Sequence, residues 1–195
     1  VFKAGESHAR AAASLLRVPF FSVSHQEGHV RAARVDSGLD AEKFLALHLS
    51  GGTTELLGVR DGGLSLLGGS LDLHAGQLID RVGVRIGLSF PAGPALERLA
   101  MRGQACERLG VSIRGLNCSL SGAETKILRL IDAGDISQED AAAEVFSLLA
   151  RSILRMLTAA VEQTGMRKAL LAGGVASSAY LRRLLTERVQ RRRLK

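Results

Sequence analysis

Apolar positions recur along the chain with two different periods, and these periods predict both helices and strands. Residues 5–16 carry apolar and small side chains at helical spacing, whereas 44–49 is a continuous apolar run of strand length. The runs 55–60 and 64–68 flank an Asp-Gly-Gly sequence, which predicts a β-hairpin. A short apolar run at 20–23 is interpreted as a further, buried strand.

Helical periodicity dominates the rest of the chain. The segment 72–87 repeats its apolar residues at helical spacing, on one face that comprises Leu73, Leu78, Val82 and Ile86. Ser24 and Ser137 are suitable N-caps for two other helices, and Gly165 is a suitable C-terminal end. Those helices and the remaining elements are predicted at 25–33, 95–102, 123–131, 137–163 and 177–189, with one strand at 168–172. This order of elements predicts an α/β layered fold.

Composition limits the class of protein. A chain of 195 residues with 46% hydrophobic residues can bury a core, and no apolar run approaches the length of a membrane span. Two cysteines, Cys106 and Cys118, indicate a reducing, cytosolic setting rather than a disulfide framework. The net charge is +7, and four of the positive side chains lie at the C-terminal end, namely Arg191, Arg192, Arg193 and Lys195. They are consistent with a solvated helix end or with a surface that binds a polyanion such as RNA.

Two histidines four residues apart, His25 and His29, are the most specific chemical signal. On a helix they lie on one face, so both imidazoles can reach one metal ion. Glu27 lies about 200° around the helix from His25, which removes the general base of a zinc protease. The alternative interpretation is a helix that has two polar residues near its start.

Two glycine turns each follow a predicted strand. They are Ser50-Gly51-Gly52 and Gly173-Gly174, where backbone N–H groups can approach a phosphate without obstruction by a Cβ atom. The hydroxyls of Ser50, Thr53 and Thr54 can contact phosphate oxygens or a cation. In an α/β layer, ligands gather at the carboxyl ends of strands, so the two turns together predict a binding edge.

Asp80 has two interpretations. It is a surface charge on a helix, or it is a carboxylate that faces a cleft and binds ribose hydroxyls or the amine of threonine.

Six motifs in order carry a resemblance to a known family. They are His25-x-Glu-Gly-His29, Ser50-Gly51-Gly52-x-Thr54, Ala75-Gly76-x-x-x-Asp80, Phe90-Pro91-x-Gly93-Pro94, Ser119-x-Ser121-Gly122 and Ala172-Gly173-Gly174-Val175. In this order and spacing the chain resembles the TsaD family, formerly labelled O-sialoglycoprotein endopeptidases. The resemblance implies an actin/Hsp70-like ATPase fold made of two RNase H-like βββαβα lobes. It also implies that residues 1–40 are the remnant of the first lobe, and that 41–195 form the second lobe with a helical insert at about 90–165.

The resemblance also implies site residues. His25 and His29 would hold one divalent metal ion, iron or zinc. The residues implied to contact an adenylate or ATP-type substrate are His48, Leu49, Ser50, Gly51, Gly52, Asp80, Gly93, Gly173, Gly174 and Ser178. No residue is assigned as a catalytic acid or base.

The implied reaction is transfer of a threonylcarbamoyl group from threonylcarbamoyl-adenylate to the adenosine beside the tRNA anticodon. The implied partners are tRNA and helper subunits, including a paralogue of the same fold, in the cytoplasm and without a membrane. The chain departs from the family pattern at Thr53, Ser178 and Glu124, and it carries no counterpart of the family's third ligand, an aspartate. These departures leave open an alternative, a non-catalytic homologue that binds nucleotide or partner proteins as a scaffold.

Overall fold

The computed structural model describes residues 2–39 and 41–193 as an α/β structure. The helices are α1 Phe2–Leu16, α2 His25–Ser37, α3 Ala75–Arg85, α4 Gly93–Ala100, α5 Ser121–Asp132, α6 Gln138–Thr164 and α7 Ala179–Arg193. The strands are β1 Phe44–Leu49, β2 Thr54–Arg60, β3 Gly63–Gly69, β4 Ser112–Arg114, β5 Asn117–Ser119 and β6 Ala169–Ala172, and a 3₁₀ turn spans Val175–Ser177. Within the described ranges, no helix is long and apolar enough to cross a membrane.

The main sheet has the strand order β3-β2-β1-β6. Strand β1 runs antiparallel to β2 and parallel to β6, and β2 runs antiparallel to β3. Because β1 and β6 are parallel, their carboxyl ends meet at one edge of the sheet. The glycine turns after Leu49 and Ala172 therefore lie side by side, as the sequence predicts.

Strand β1 is buried along its whole length because both faces of the sheet are covered. Leu45, Leu47 and Leu49 belong to the main core, which also contains residues of α3 and α6. Phe44 and Ala46 belong to a smaller core on the opposite face, together with Val30 of α2. The alternation along β1 thus assigns each side chain to one of two layers, and residue 48 falls on the α2 side.

The structure confirms most predicted elements and their end signals. The Ser24 hydroxyl accepts a hydrogen bond from the Glu27 amide at 3.1 Å, and the Ser137 hydroxyl accepts one from the Asp140 amide at 3.0 Å. Gly165 ends α6 in the left-handed conformation, with φ 71°. All four apolar residues predicted on one face of the 72–87 segment are buried.

The predicted strand at 20–23 is wrong. This segment is an irregular connection between α1 and α2, and Phe21 and Val23 are exposed. Its apolar composition favours a strand, but none of the described strands pairs with its backbone. The helix predicted at 123–131 begins two residues earlier, at Ser121, directly after strand β5 of the β4–β5 hairpin. The division of the chain at residue 40 stays a prediction.

Candidate metal centre and adjoining cleft

His25 and His29 converge on the first two turns of α2. Their Nε2 atoms lie 3.2 Å apart, and the ring centroids are 4.5 Å apart. The Ser24 cap starts the helix directly before His25, so the spacing of four residues places both rings on one face. The structure therefore brings together the two side chains that the sequence singles out.

His48 is the third member of this cluster. Its ring centroid lies 4.7 Å from that of His29 and 6.0 Å from that of His25. One ligating atom from each histidine lies within 4.8 Å of the others. His48 has no exposed surface, and neither of its ring nitrogens has a hydrogen-bond partner among the described residues. A buried imidazole without a hydrogen bond is costly, and a metal ion in the cluster would satisfy it.

The electrostatic environment keeps His48 neutral. Burial lowers the pKa of its imidazole, and the like charge of His29 lowers this pKa further, whereas Glu55 opposes both effects. Glu55 lies directly opposite His48 in the antiparallel β1–β2 pair. A neutral imidazole is the form that binds a metal, and three such ligands suit zinc or iron. The residues present therefore fit the ion that the histidine pair implies.

Sequence reasoning grouped His48 with the substrate-binding residues and missed its place beside His25 and His29. The signal was present, because His48 is the only polar residue in the six-residue run of β1. Its position two residues after Ala46 places it on the face covered by α2. Only the packing of α2 across that face could show which side chains it meets.

The turn after β1 is held by its neighbours. The Ser50 amide donates to the Thr53 carbonyl at 2.8 Å. The Thr54 hydroxyl accepts a hydrogen bond from the Ala75 amide at 2.8 Å and is buried, so Thr54 anchors α3 rather than offering its hydroxyl to a phosphate. Gly76 is required there, because a Cβ atom would lie 2.6 Å from the Cα atom of Gly51.

The turn after β6 meets the histidine cluster. Gly173 has φ +97°, and a Cβ atom there would lie 2.2 Å from the Leu49 carbonyl oxygen and 3.0 Å from a ring carbon of His48. The side chain of Leu49 is buried in the core, so only its backbone lies at this junction. Gly174 has open space on its Cβ side. The histidine cluster and the binding edge are therefore neighbours through Gly173.

A cleft of about 360 Å³ lies at this edge of the sheet. Its lining combines both glycine turns with α3, α4 and α6, through Gly51, Gly76, Ile79, Asp80, Phe90, Pro91, Gly93, Pro94, Glu97, Phe146, Gly174, Val175, Ser177 and Ser178. Five of the predicted substrate contacts are in this set, whereas His48, Leu49, Ser50, Gly52 and Gly173 are not. The volume lies in the range of small-molecule sites.

Three polar side chains that line the cleft also accept hydrogen bonds from backbone amides of the surrounding segments. They are Asp80, Ser178 and Glu97. Asp80 accepts a hydrogen bond from the Ala92 amide at 2.8 Å, which fixes the loop before α4. Ser178 accepts one from the Leu181 amide at 3.1 Å and caps α7. Glu97 accepts one from the Tyr180 amide at 2.8 Å, and sequence reasoning did not identify it. Asp80 is half-buried and lines the cleft, and its role in binding a substrate stays a prediction.

A second cavity of about 670 Å³ adjoins the first and shares Gly51, Asp80 and Phe90 with it. Its opposite wall carries an ion pair between Arg81 and Glu124, with 3.0 Å between nitrogen and oxygen. The acidic residue that departs from the family pattern thus has a cationic partner on α3.

The Ser119-x-Ser121 motif binds a carboxylate rather than a ligand. Asp72 accepts hydrogen bonds from the hydroxyls of Ser119 and Ser121, both at 2.5 Å, and from the Leu120 amide at 2.8 Å. Burial raises the pKa of Asp72, but these hydrogen bonds together lower it well below its usual range. The motif therefore ties the β4–β5 hairpin to the loop before α3.

Comparison with known proteins gives a consistent result. The sequence model of the family described as TsaD, tRNA N6-adenosine threonylcarbamoyltransferase, matches residues 3–194. A tRNA N6-adenosine threonylcarbamoyltransferase of Methylobacillus flagellatus is 37% identical, over 96% of this chain and 58% of its own length. One of Methanopyrus kandleri is 34% identical, over 97% of this chain and 55% of its own length. The chain thus spans a little over half the length of these relatives.

Solved structures show the same fold at low sequence identity. The crystal structure of HypF from T. kodakarensis superposes with a TM-score of 0.76 at 16% identity, over 95% of this chain and 35% of that one. A full-length HypF in the phosphate- and nucleotide-bound form gives 0.75 at 14% identity, over 90% and 39%. The fold is that of the actin/Hsp70-like ATPases. From the family match and these relatives, the chain belongs to the TsaD family of tRNA N6-adenosine threonylcarbamoyltransferases.

Proposed function

We propose that this chain forms part of an enzyme that transfers a threonylcarbamoyl group from threonylcarbamoyl-adenylate to an adenosine of tRNA. The observation that carries the proposal is the position of three converging imidazoles, of which the buried His48 has no hydrogen-bond partner among the described residues, beside a cleft of nucleotide size. The curated relatives bear the name of this activity. Because the substrate is tRNA, we also propose a cytoplasmic location and helper subunits that complete the site.

The cleft suits an adenylate. Gly51 and Gly174 border it from the two strand ends, and each has open space on its Cβ side, so a phosphate can approach the backbone there. Asp80 keeps one carboxylate oxygen without a hydrogen bond to any described residue, and this oxygen can accept one from a ribose hydroxyl or a threonine amine. Phe90 and Val175 offer apolar surface to the base. Gly93 and Ser178 complete the walls.

The second cavity suits the acceptor. It shares Gly51, Asp80 and Phe90 with the first, so an adenine that enters it would lie next to the carbamoyl group of a bound adenylate. In the reaction a C–N bond forms to the acceptor amine, and the bond between the carbamoyl carbon and the phosphate oxygen breaks. The amine is a poor nucleophile, so holding both partners in place must supply much of the rate.

His25, His29 and His48 would hold one divalent metal ion. Such an ion would supply positive charge that binds a phosphate group or polarises a carbonyl group. Because the His48 ring lies beside Gly173, an ion held by these residues would adjoin the binding edge. Imidazole ligands suit both iron and zinc, and elemental analysis of the purified protein would identify the ion.

The proposal is tested by transfer of labelled threonine from the adenylate to unmodified tRNA, with helper subunits supplied. The chain is expected to support incorporation, and replacement of both His25 and His29 by alanine is expected to abolish incorporation and metal content together. If the folded, metal-loaded protein gives no incorporation where a known transferase does, the enzyme proposal fails and the scaffold alternative is supported.

A further inference from the structure

A third cavity lies away from the cleft, between α6 and α7. It has a volume of about 300 Å³ and is lined by Arg151, Leu154, Arg155, Arg188 and Arg191. Four guanidinium groups thus surround one concave space, which we call the arginine pocket. None of these residues belongs to the histidine cluster or to the cleft.

The charge of the arginine pocket is not neutralised. Glu107 lies 2.7 Å from Arg188 and 3.9 Å from Arg151. Among the described residues, Arg155 and Arg191 have no hydrogen-bond or ion-pair partner. A second carboxylate, Glu144, also interacts electrostatically with Arg151. Two carboxylates therefore oppose four cations, and the pocket keeps a net positive charge. Lys195, the last cation of the C-terminal run, lies outside the described residues.

Two of the four guanidinium groups are held in place by the fold. The side chain of Arg151 is 14% exposed and donates to the Leu109 carbonyl at 2.7 Å, while its buried Nε atom has no hydrogen-bond partner among the described residues. Arg188 donates to the Ser147 hydroxyl at 3.1 Å. An ordinary solvated surface would leave such long side chains free, whereas here they are positioned before a ligand arrives.

Guanidinium forks match the oxygens of phosphate and carboxylate groups, so the arginine pocket selects an oxyanion. RNA is favoured over an acidic peptide by two observations. The chain as a whole carries a net charge of +7, which suits a long polyanion. The pocket also lies on the helix that borders the cleft, because Ser178 precedes Arg188 by ten residues, about 15 Å along a helix.

We infer that the arginine pocket binds the sugar–phosphate backbone of the tRNA whose adenosine enters the cleft. This inference rests on the proposed function. Contacts to phosphates fix the position of a nucleic acid without reading its sequence. The pocket would therefore hold the tRNA in place while the adenosine is presented to the cleft at the other end of α7.

The test measures binding separately from transfer. Fluorescence anisotropy with labelled, unmodified tRNA compares the wild-type chain with the double variant Arg155→Glu and Arg191→Glu. The matched control is Arg114→Glu with Arg129→Glu, two exposed arginines that lie outside the pocket, form no described ion pair and give the same change in net charge. Circular dichroism confirms that both variants are folded.

The pocket variant is expected to bind tRNA on the order of tenfold more weakly than the control. The slope of log affinity against log salt concentration is expected to be smaller in magnitude by about one to two. Equal loss of affinity in both variants would overturn the inference, because it would reflect net charge alone. Displacement of the tRNA by polyglutamate as effectively as by unlabelled RNA would also overturn it, in favour of an acidic protein partner.

Transfer assays separate this inference from the proposed function. Replacement of His25 and His29 by alanine is expected to leave tRNA affinity unchanged. If pocket-dependent binding persists while the wild type transfers no threonine, the proposed reaction fails alone. If transfer occurs and the pocket variant binds tRNA as the control does, the arginine pocket inference fails alone.

Discussion

Two polar clusters in this molecule differ in how completely their hydrogen bonds are satisfied. The carboxylate of Asp72 accepts hydrogen bonds from two hydroxyls and from backbone amides, which join three segments of the chain. His48 is fully buried, and neither ring nitrogen forms a hydrogen bond within the described part of the chain. The family resemblance pointed to residues of both clusters, but among the described residues only the Asp72 cluster has its hydrogen bonds satisfied.

This difference separates structural polar groups from ligand-binding ones. A satisfied carboxylate stabilises the fold, and its removal should lower stability without affecting metal content. An unsatisfied buried imidazole destabilises the metal-free fold, so its presence requires another reason. The cluster of His25, His29 and His48 supplies that reason as a set of metal ligands.

The largest effect is expected from His48→Leu, which keeps the side-chain volume and removes the nitrogen atoms. Metal affinity should fall by more than the roughly 10–100-fold that loss of an outer-shell partner costs. The free energy of unfolding of the metal-free protein should stay the same or rise, because an unpaired buried polar group is removed. Chelator competition and urea unfolding measure the two quantities. Unchanged metal affinity would contradict ligation by His48.

Gly173→Ala is expected to disrupt the packing between the ends of β1 and β6 and the histidine cluster. The strained φ and the close approach to the Leu49 carbonyl should lower the free energy of unfolding by about 3 kcal/mol or more. Metal content should fall as well, because the His48 ring is displaced. Gly174→Ala is the matched control, since its Cβ side is open, and it should cost less than about 1 kcal/mol. Similar losses in both variants would exclude a special role for Gly173.

Asp72→Ala tests the satisfied cluster. It should lower the free energy of unfolding by about 1–2 kcal/mol, a value reduced for the partial exposure of the carboxylate, and leave metal affinity unchanged. Asp132→Ala removes a carboxylate that is paired with Arg85 on the surface, and it should cost less than about 1 kcal/mol. A loss of metal in Asp72→Ala would show that the two clusters are coupled.

The smallest expected difference between the clusters is the pH at which the stabilising contribution of Asp72 and the metal binding of the histidine cluster are each lost. The pKa of Asp72 is lowered in the fold, so its stabilising contribution is complete above the ordinary aspartate pKa of about 3.9 and is lost as the pH falls below it. The pKa of His48 is also lowered, so protons favour the unfolded chain and the metal-free state below the ordinary histidine pKa of about 6.5. Metal should therefore leave as the pH falls below about 6.5, while the Asp72 contacts persist to a lower pH.

The pH of metal loss is measured by elemental analysis after dialysis at each pH. The pH at which the Asp72 contribution is lost is measured by urea unfolding of the wild type and of Asp72→Ala. Metal retention at pH 4 would contradict ligation by imidazoles. A difference in stability between the two proteins that is already lost at pH 5 would contradict the lowered pKa of Asp72.

The sequence by itself determined the local elements. Helical and strand periods, the caps at Ser24 and Ser137 and the left-handed end at Gly165 are signals carried by neighbouring residues, and each is confirmed. The spacing of His25 and His29 likewise placed two imidazoles on one helix face. The apolar segment 20–23 failed as a strand, because a strand also needs a pairing partner that the local sequence does not specify.

Only the tertiary structure decided which distant groups meet. His48 joins the histidine pair because α2 packs across the face of β1 to which residue 48 points, 19 residues after His29. Thr54, expected at a phosphate, instead anchors α3 because Gly76 lets that helix approach the turn. The four arginines form one pocket because α6 lies beside α7. Such meetings depend on packing between layers, and the periodicity of a single element carries no information about its partner.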